Sequence, residues 1–327
     1  MKRVYLDQNH WSYLSLALGG QPRTQAEAEA ARVIARSVAN QEASFPLSTA
    51  HVFETWKLIG ADKRLAIART MIEVSRHAAI APPQQLVPAE LALALHRRFD
   101  TAVSPPEVQA FGRGLAHLSG GLFSELDPEL VAYVRAEHPE FDDAEVTDWI
   151  EARLIAGPEQ DLPVGELTPP PMQFAEGFAA GQTELQERFK QQNTNEPERR
   201  RAVAASMMRD ITEPLTAALR QTGVTVDQFT ALERKELIAF MLDLPSRVAL
   251  LELMTRQHAD LGTKWVANDL NDLVYLSAAI GYCDIVVTER KWSAIINSTD
   301  VPARTGTVVL AKLAELPAAL ASDGGSS

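Results

Sequence analysis

VYLDQNHWSYL, residues 4–14, holds the transition that decides the fold. Val4, Tyr5 and Leu6 are a β-branched, an aromatic and an aliphatic residue in succession, the composition of a short buried strand. Asp7 follows at once, then Asn9, then a run from Trp11 to Leu18 that reads as helix. A strand that ends on a carboxylate and turns straight into a helix is the opening of a β-α unit, and the chain repeats it. AEAEAARVIARSVAN (26–40) is a second helix by composition and period. SFPLS (44–48) is a second strand, although Pro46 removes a ladder donor. Thr49 is expected to cap the helix that carries AHVFETWKLI. ADKRLAIARTMIEVSRH is another helix, AAIAPP (78–83) a third strand, and PAELALALHRRF a helix with Pro88 in its first turn. This alternation predicts an α/β fold: a parallel sheet with helices on its faces.

From 101 to 259 the alternation stops. The segment reads as amphipathic helices broken by SPPE, LSGGLF and the proline cluster ELTPPPMQF, with no strand-like pattern. A large α-helical insertion or lobe is the expectation. The alternation resumes with NDLNDLVYLSAAIGY (268–282), a helix with Asn268 as its N-cap, then the strand CDIVVTE and the short helix RKWSAII. TGTVVL (305–310) is a last strand, AKLAELPAALA a closing helix, and SDGGSS (322–327) a disordered tail. The expected organisation is a discontinuous α/β domain from 1–100 and 260–321 around a lobe at 101–259.

Composition narrows the function. With 327 residues, 46% of them hydrophobic, the chain is long enough for a sizeable core. Its single cysteine, Cys283, excludes a disulfide framework and a cysteine-built zinc site, and a cytoplasmic, reducing setting is expected. No apolar run approaches the roughly 20 residues that span a bilayer, so no membrane partner is expected. A net charge of −12 repels nucleic acid on average. A nucleic-acid function therefore needs a local reason, and divalent metal at an acidic cluster is one. Neither a GxxxxGK[ST] loop nor a GxGxxG turn occurs, which argues against nucleotide hydrolysis and dinucleotide binding. An aspartyl-nucleophile phosphatase would need a second Asp two residues after Asp7, where Asn9 stands.

In an open parallel sheet, ligands bind beyond the carboxyl ends of the strands. Asp7 ends the first strand, Glu54 lies early in the helix after the second, and Glu289 follows the strand CDIVVTE. Asp269 and Asp272, three apart, share one surface of a helix. Asp284 opens its strand at the opposite end and is read as structural. Carboxylates that converge at one edge repel: two unit charges about 4 Å apart cost on the order of 4 kcal/mol at an effective dielectric of 20. Raised pKa values relieve this, and a hard divalent cation relieves it better. Each acid has a plainer reading as a turn, cap or solvated position; their conjunction carries the signal.

VYLDQNHWSYL, LSTAHVFETWKL and NDLNDLVYLSAAIGYCDIVVTERKW together resemble the PIN-domain nucleases. The resemblance matches Asp7, Glu54 and Asp272 to the family's acids. Asn9 and Thr288 match positions that support the site by hydrogen bonds. The family's last acid lies two residues past the Thr; here Glu289 is one past, with Arg290 in the usual slot. The resemblance covers residues 1–100 and 260–321 and implies a PIN-like three-layer domain. It implies hydrolysis of phosphodiesters, usually of RNA, with Mg2+ or Mn2+ held by Asp7, Glu54 and Asp272, and Asp269 and Glu289 as further ligands. An antitoxin protein is a possible partner. Lys57, Arg290 and Lys291 could meet phosphate, or serve as ion-pair partners of Glu54 and Glu289. Trp11 and Trp292 could stack a base but more often pack a core. Arg199–Arg201 could guide substrate, with a solvated helix face the plainer reading. His10 and His51 are expected to cap or pack. The rival from another class is a non-catalytic scaffold whose helical lobe docks a partner.

Overall fold

The computed structural model describes residues 1–102, 104–121, 126–159, 170–262 and 264–322, and only the backbone of 170–175, 267, 268 and 271. Residues 166–169 of ELTPPPMQF, the tail beyond Ser322 and the Asn268 side chain thus lie outside the described residues.

The chain opens with β1 (Lys2–Leu6), α1 (Gln8–Leu18), α2 (Gln25–Ala39), β2 (Ala43–Ser44), α3 (Thr49–Trp56) and α4 (Ala61–Ser75). Next come β3 (Ala78–Ile80), α5 (Pro83–Phe99), β4 (Phe111–Arg113), α6 (Gly114–Ser119), α7 (Pro128–Glu137) and α8 (Asp143–Ala156). A helical series follows: α9 (Pro170–Gln192), α10 (Glu196–Asp210), α11 (Thr212–Thr222), α12 (Val226–Thr230), α13 (Arg234–Leu242) and α14 (Pro245–Ala259). The chain then runs through α15 (Ala267–Tyr282), β5 (Ile285–Val287), α16 (Arg290–Asn297), α17 (Val301–Thr305), β6 (Val308–Leu310) and α18 (Leu316–Ala321).

Four strands form one parallel sheet in the order β2-β1-β5-β6. β1 and β5 are central, with Val4, Tyr5 and Leu6 opposite Ile285, Val286 and Val287. Side chains alternate across a strand, and the cores on either side record it. Val4, Leu6, Ile285 and Val287 share a core with Trp11, Leu14, Ile34 and Met71 from α1, α2 and α4. Tyr5, Val286 and Val309 face a second core with Leu91, Leu251, Leu253 and Leu273 from α5, α14 and α15. Both faces are covered, which is why these strands read as continuous apolar runs. Each buried aliphatic side chain contributes roughly 1.5–3 kcal/mol. Among the described residues no helix is long and apolar enough to cross a membrane.

The structure departs from the sequence reading at several points. Of SFPLS only Ser44 is in β2; Pro46 cannot donate, and the ladder resumes as one parallel bridge from Leu47 to Ala79. Among the described residues β3 therefore meets the sheet through Leu47, whose N–H donates to Ala78 O at 2.8 Å and whose carbonyl accepts from Ile80 N at 2.8 Å. Its ladder partner is antiparallel β4, in the segment expected to hold no strand. At Gly112 of β4 a Cβ would lie 2.4 Å from the His117 ring, so close packing demands glycine where a strand prefers bulk. α5 begins at Pro83, leaving Pro88 inside it, and Ser48 rather than Thr49 precedes α3. α15 begins at Ala267, so Asn268 is not its cap.

Among the described residues of 101–259, β4 is the one strand between the helices, but the segment is not set apart from the sheet. Ala152, Ile155 and Ala156 of α8 belong to the first core, and α14 supplies the second. The fully buried Arg64 of α4 donates to Leu58 O at 2.9 Å, Ala156 O at 3.0 Å and Pro158 O at 2.5 Å. Trp56 Nε1 donates to Leu154 O at 3.0 Å. At Gly281 a Cβ would stand 2.6 Å from Pro245 O, so glycine lets α15 approach α14.

Candidate active site

The site is built where β1 and β5 end. Asp7 N donates to Val287 O at 2.9 Å, which extends the ladder by one bond and fixes the residue beyond the strand. Asp7 is also the N-cap of α1. Its Oδ1 accepts from Gln8 N at 2.8 Å, and its Oδ2 accepts from Thr288 Oγ1 at 2.9 Å. Thr288 is fully buried, with its N–H donating to Leu310 O at 3.0 Å. Next to it, Asn9 Nδ2 donates to Glu289 Oε1 at 2.7 Å. Thr288 and Asn9 thus hold one acid each.

Two further acids enter from helices. Glu54, in the second turn of α3, is half-buried, and burial pushes its pKa up to about 8, with Asp7, then Asp272 and Glu289, adding to the rise and Lys57 opposing it. Asp272 of α15, also half-buried, is pushed up to about 7 by burial, then by Asp7, Glu289 and Asp269. Four segments distant in sequence therefore bring Asp7, Glu54, Asp272 and Glu289 into one electrostatic neighbourhood. Lys57, exposed just past the end of α3, lowers both raised values and so belongs to it.

Asp269 is turned to its own helix: its Oδ2 accepts from Val266 N at 2.8 Å. Arg290 and Lys291 are exposed in the first turn of α16, and Lys291 Nζ lies 4.1 Å from the Trp292 ring centre. Trp11 and Trp292 are themselves buried in the two cores and present no face to a base. Arg199 donates to Thr194 O at 2.6 Å and Arg200 pairs with Glu252, which ties that basic run to its own helices. Asp284 accepts from Arg3 N at 2.6 Å at the other end of β1, a structural position as expected.

The donor chemistry suits a hard divalent cation: carboxylate oxygens in excess negative potential. As the side chains stand, no three His, Cys, Asp or Glu among the described residues are gathered to hold one ion. Repulsion keeps like charges apart, and Thr288, Gln8 and Asn9, not a shared contact, set the carboxylate positions.

The histidines fill the roles expected of them, and with more consequence than the sequence conveys. His51 is neutral, pushed down to about 4 chiefly by burial. Its Nδ1 accepts from Ser48 N at 2.9 Å and its Nε2–H donates to Leu6 O at 2.8 Å. Its ring stacks on Tyr5 with centroids 5.0 Å apart. His10, lowered by burial, lies 3.2 Å from Thr288 O through Nε2. Gln8 and Thr55, which sequence reasoning passed over, are buried beside the acids and joined by a 3.0 Å hydrogen bond. Their one sequence signal is polar residues at positions i+1 from two candidate acids. No family model, curated protein or solved structure matches this chain.

Proposed function

We propose that this chain is a metal-dependent phosphodiester hydrolase, an endoribonuclease of the PIN-like type. The observation that carries the reading is that Asp7 and Glu289 stand at the ends of the paired central strands β1 and β5, each held by a hydrogen bond, with Glu54 and Asp272, from helices more than 200 residues apart, raised by burial and then by Asp7. Carboxyl groups with raised pKa values at the carboxyl edge of a parallel sheet mark a place where a ligand of opposite charge can bind.

Asp7, Glu54 and Asp272 would hold Mg2+ or Mn2+, with Glu289 beside them. When bound, such an ion supplies a water of lowered pKa and stabilises negative charge on a phosphoryl group. The chain's own residues prepare for that. Thr288 fixes the Asp7 carboxylate and Asn9 fixes Glu289. Without the ion Glu54 holds its proton up to about 8, so binding of the cation would release that proton. Lys57, Arg290 and Lys291 would supply the phosphate contacts that an acidic chain needs.

The test incubates single-stranded RNA and single-stranded DNA with wild type and with Asp272→Asn in magnesium. Removing a direct ligand should cost more than the ~10–100-fold typical of outer-shell changes. Equal cleavage by both proteins rejects the assignment. A non-catalytic scaffold is the second reading, favoured by the carboxyl oxygens not being gathered around a single point. A manganese titration separates the two: binding to the native state raises the thermal midpoint, whereas no shift supports the scaffold.

A further inference from the structure

Asp7 and Glu54 each have neighbours that are bonded to the other's neighbours. The residue before Asp7, Leu6, accepts from His51 Nε2–H at 2.8 Å. The residue after Asp7, Gln8, donates through Nε2 to Thr55 Oγ1 at 3.0 Å. Thr55 follows Glu54, and its hydroxyl donates in turn to His51 O at 2.7 Å. The result is a closed loop of bonds: Leu6 to His51, His51 to Thr55, Thr55 to Gln8. Asp7 sits between its two anchor points on β1 and α1, and Glu54 between its two on α3.

Every member is withdrawn from water. Gln8 is 5% exposed, His51 1% and Thr55 0%. Gln8 Oε1 is buried without a hydrogen-bond partner, but the loop's other polar atoms are bonded, and removal of one partner costs the other its full desolvation penalty. Such bonds hold a geometry more strictly than apolar contact does, because direction and length are both specified. A neutral His51 has a single N–H, and with Ser48 N donating to Nδ1 that proton is committed to the Leu6 carbonyl.

We infer that Gln8, Thr55 and His51 are positioning residues that set the separation of the Asp7 and Glu54 carboxyl groups, through the bonded loop joining β1 and α1 to α3. This rests on the metal-binding reading given above. Outer-shell hydrogen bonds of this kind fix the orientation of groups that ligate a metal, and their loss costs about 10–100-fold in affinity.

The test uses the full chain with manganese alone as probe. Thr55→Val keeps the shape and removes the hydroxyl; Thr55→Ser keeps the hydroxyl and removes a methyl group. Thr55→Val should weaken manganese binding about 10–100-fold, and Thr55→Ser should restore wild-type affinity. Gln8→Met added to Thr55→Val should cost little more than Thr55→Val alone, because both remove the same bond. Crystal structures of wild type and Thr55→Val should show different Asp7–Glu54 carboxyl separations. Equal weakening by Thr55→Val and Thr55→Ser, or no weakening by either, overturns the inference. If wild type binds no manganese, the metal reading falls, and the carboxyl separation alone decides the positioning role: an unchanged distance rejects it.

Discussion

Glu90 and Glu54 are two carboxyl groups in one chain, and their surroundings are opposites. Glu90, on α5, is 2% exposed, more deeply buried than Glu54. It accepts from Ser246 N at 3.0 Å, Ser246 Oγ at 2.6 Å and Tyr282 OH at 2.6 Å, and so joins α5 to α14 and α15. Glu54 lies nearer to water, yet its pKa is raised, by burial first and then by Asp7, Asp272 and Glu289, with Lys57 in opposition. Burial alone does not mark a working acid. A carboxylate surrounded by donors ties a fold together; one beside other acids has its proton held more tightly.

The sharpest way to break this contrast is to delete each acid and measure stability. Glu90→Ala strands three donors in the interior and should cost about 3 kcal/mol of unfolding free energy, read by urea denaturation. A loss below about 1 kcal/mol would remove Glu90 from the structural class. Glu54→Gln should act in the opposite direction. In chelator at pH 9, where Glu54 is ionised against its neighbours, the substitution should stabilise by about 1–2 kcal/mol, less than the full shift because water still reaches the group.

The pH dependence has a defined sign. Glu54 holds its proton up to about 8 in the folded chain, against about 4.5 when unfolded. The folded state binds more protons across that window, so its stability falls as pH rises from about 4.5 to about 8. Asp272 adds the same trend between about 3.8 and 7. Glu54→Gln should flatten the slope of thermal midpoint against pH in chelator, and an unchanged slope would show that Glu54 is not the group responsible.

The smallest effect concerns a third kind of charged cluster. His77 Nδ1 and Nε2 lie 2.7 Å from Glu151 and 2.7 Å from Asp148, linking the turn before β3 to α8. Those carboxylates, Glu151 foremost, raise its pKa above 6.5. Its contribution is fully present below pH 6.5 and is lost as pH rises through the raised value. Because Asp148 is half exposed, the contribution is about 0.5–1 kcal/mol. His77→Gln should lower the melting midpoint at pH 6 and leave it nearly unchanged at pH 9; equal losses at both would assign His77 a packing role only.

The parts legible in the sequence were those with local causes. Val4–Leu6 and Ile285–Val287 are apolar on both faces, so composition alone identifies central parallel strands. Asp7 and Glu289 could be placed at one edge because strand direction fixes which end a following residue occupies. What escaped depended on partners far along the chain. β4 is three residues with a glycine at its centre, and only its pairing with β3 defines it. α14 is a core helix with apolar residues on every side, so no stripe distinguishes it from an insertion. Gln8 and Thr55 gain meaning only when their bond is seen, since neither carries a motif.

Side-chain alternation along β1 also gives the site a parity. Val4 and Leu6 face one core and Tyr5 the other, so Asp7 inherits its direction by counting from them. Deleting one residue within this strand would shorten the chain by a trivial amount yet turn the strand positions that follow it, up to Asp7, to the opposite face of the sheet. The Asp7 carboxylate would then leave Thr288 and Glu54 together. For this protein a frame shift of one amino acid near the start is a graver injury than most substitutions, and an even-numbered change is the gentler of the two.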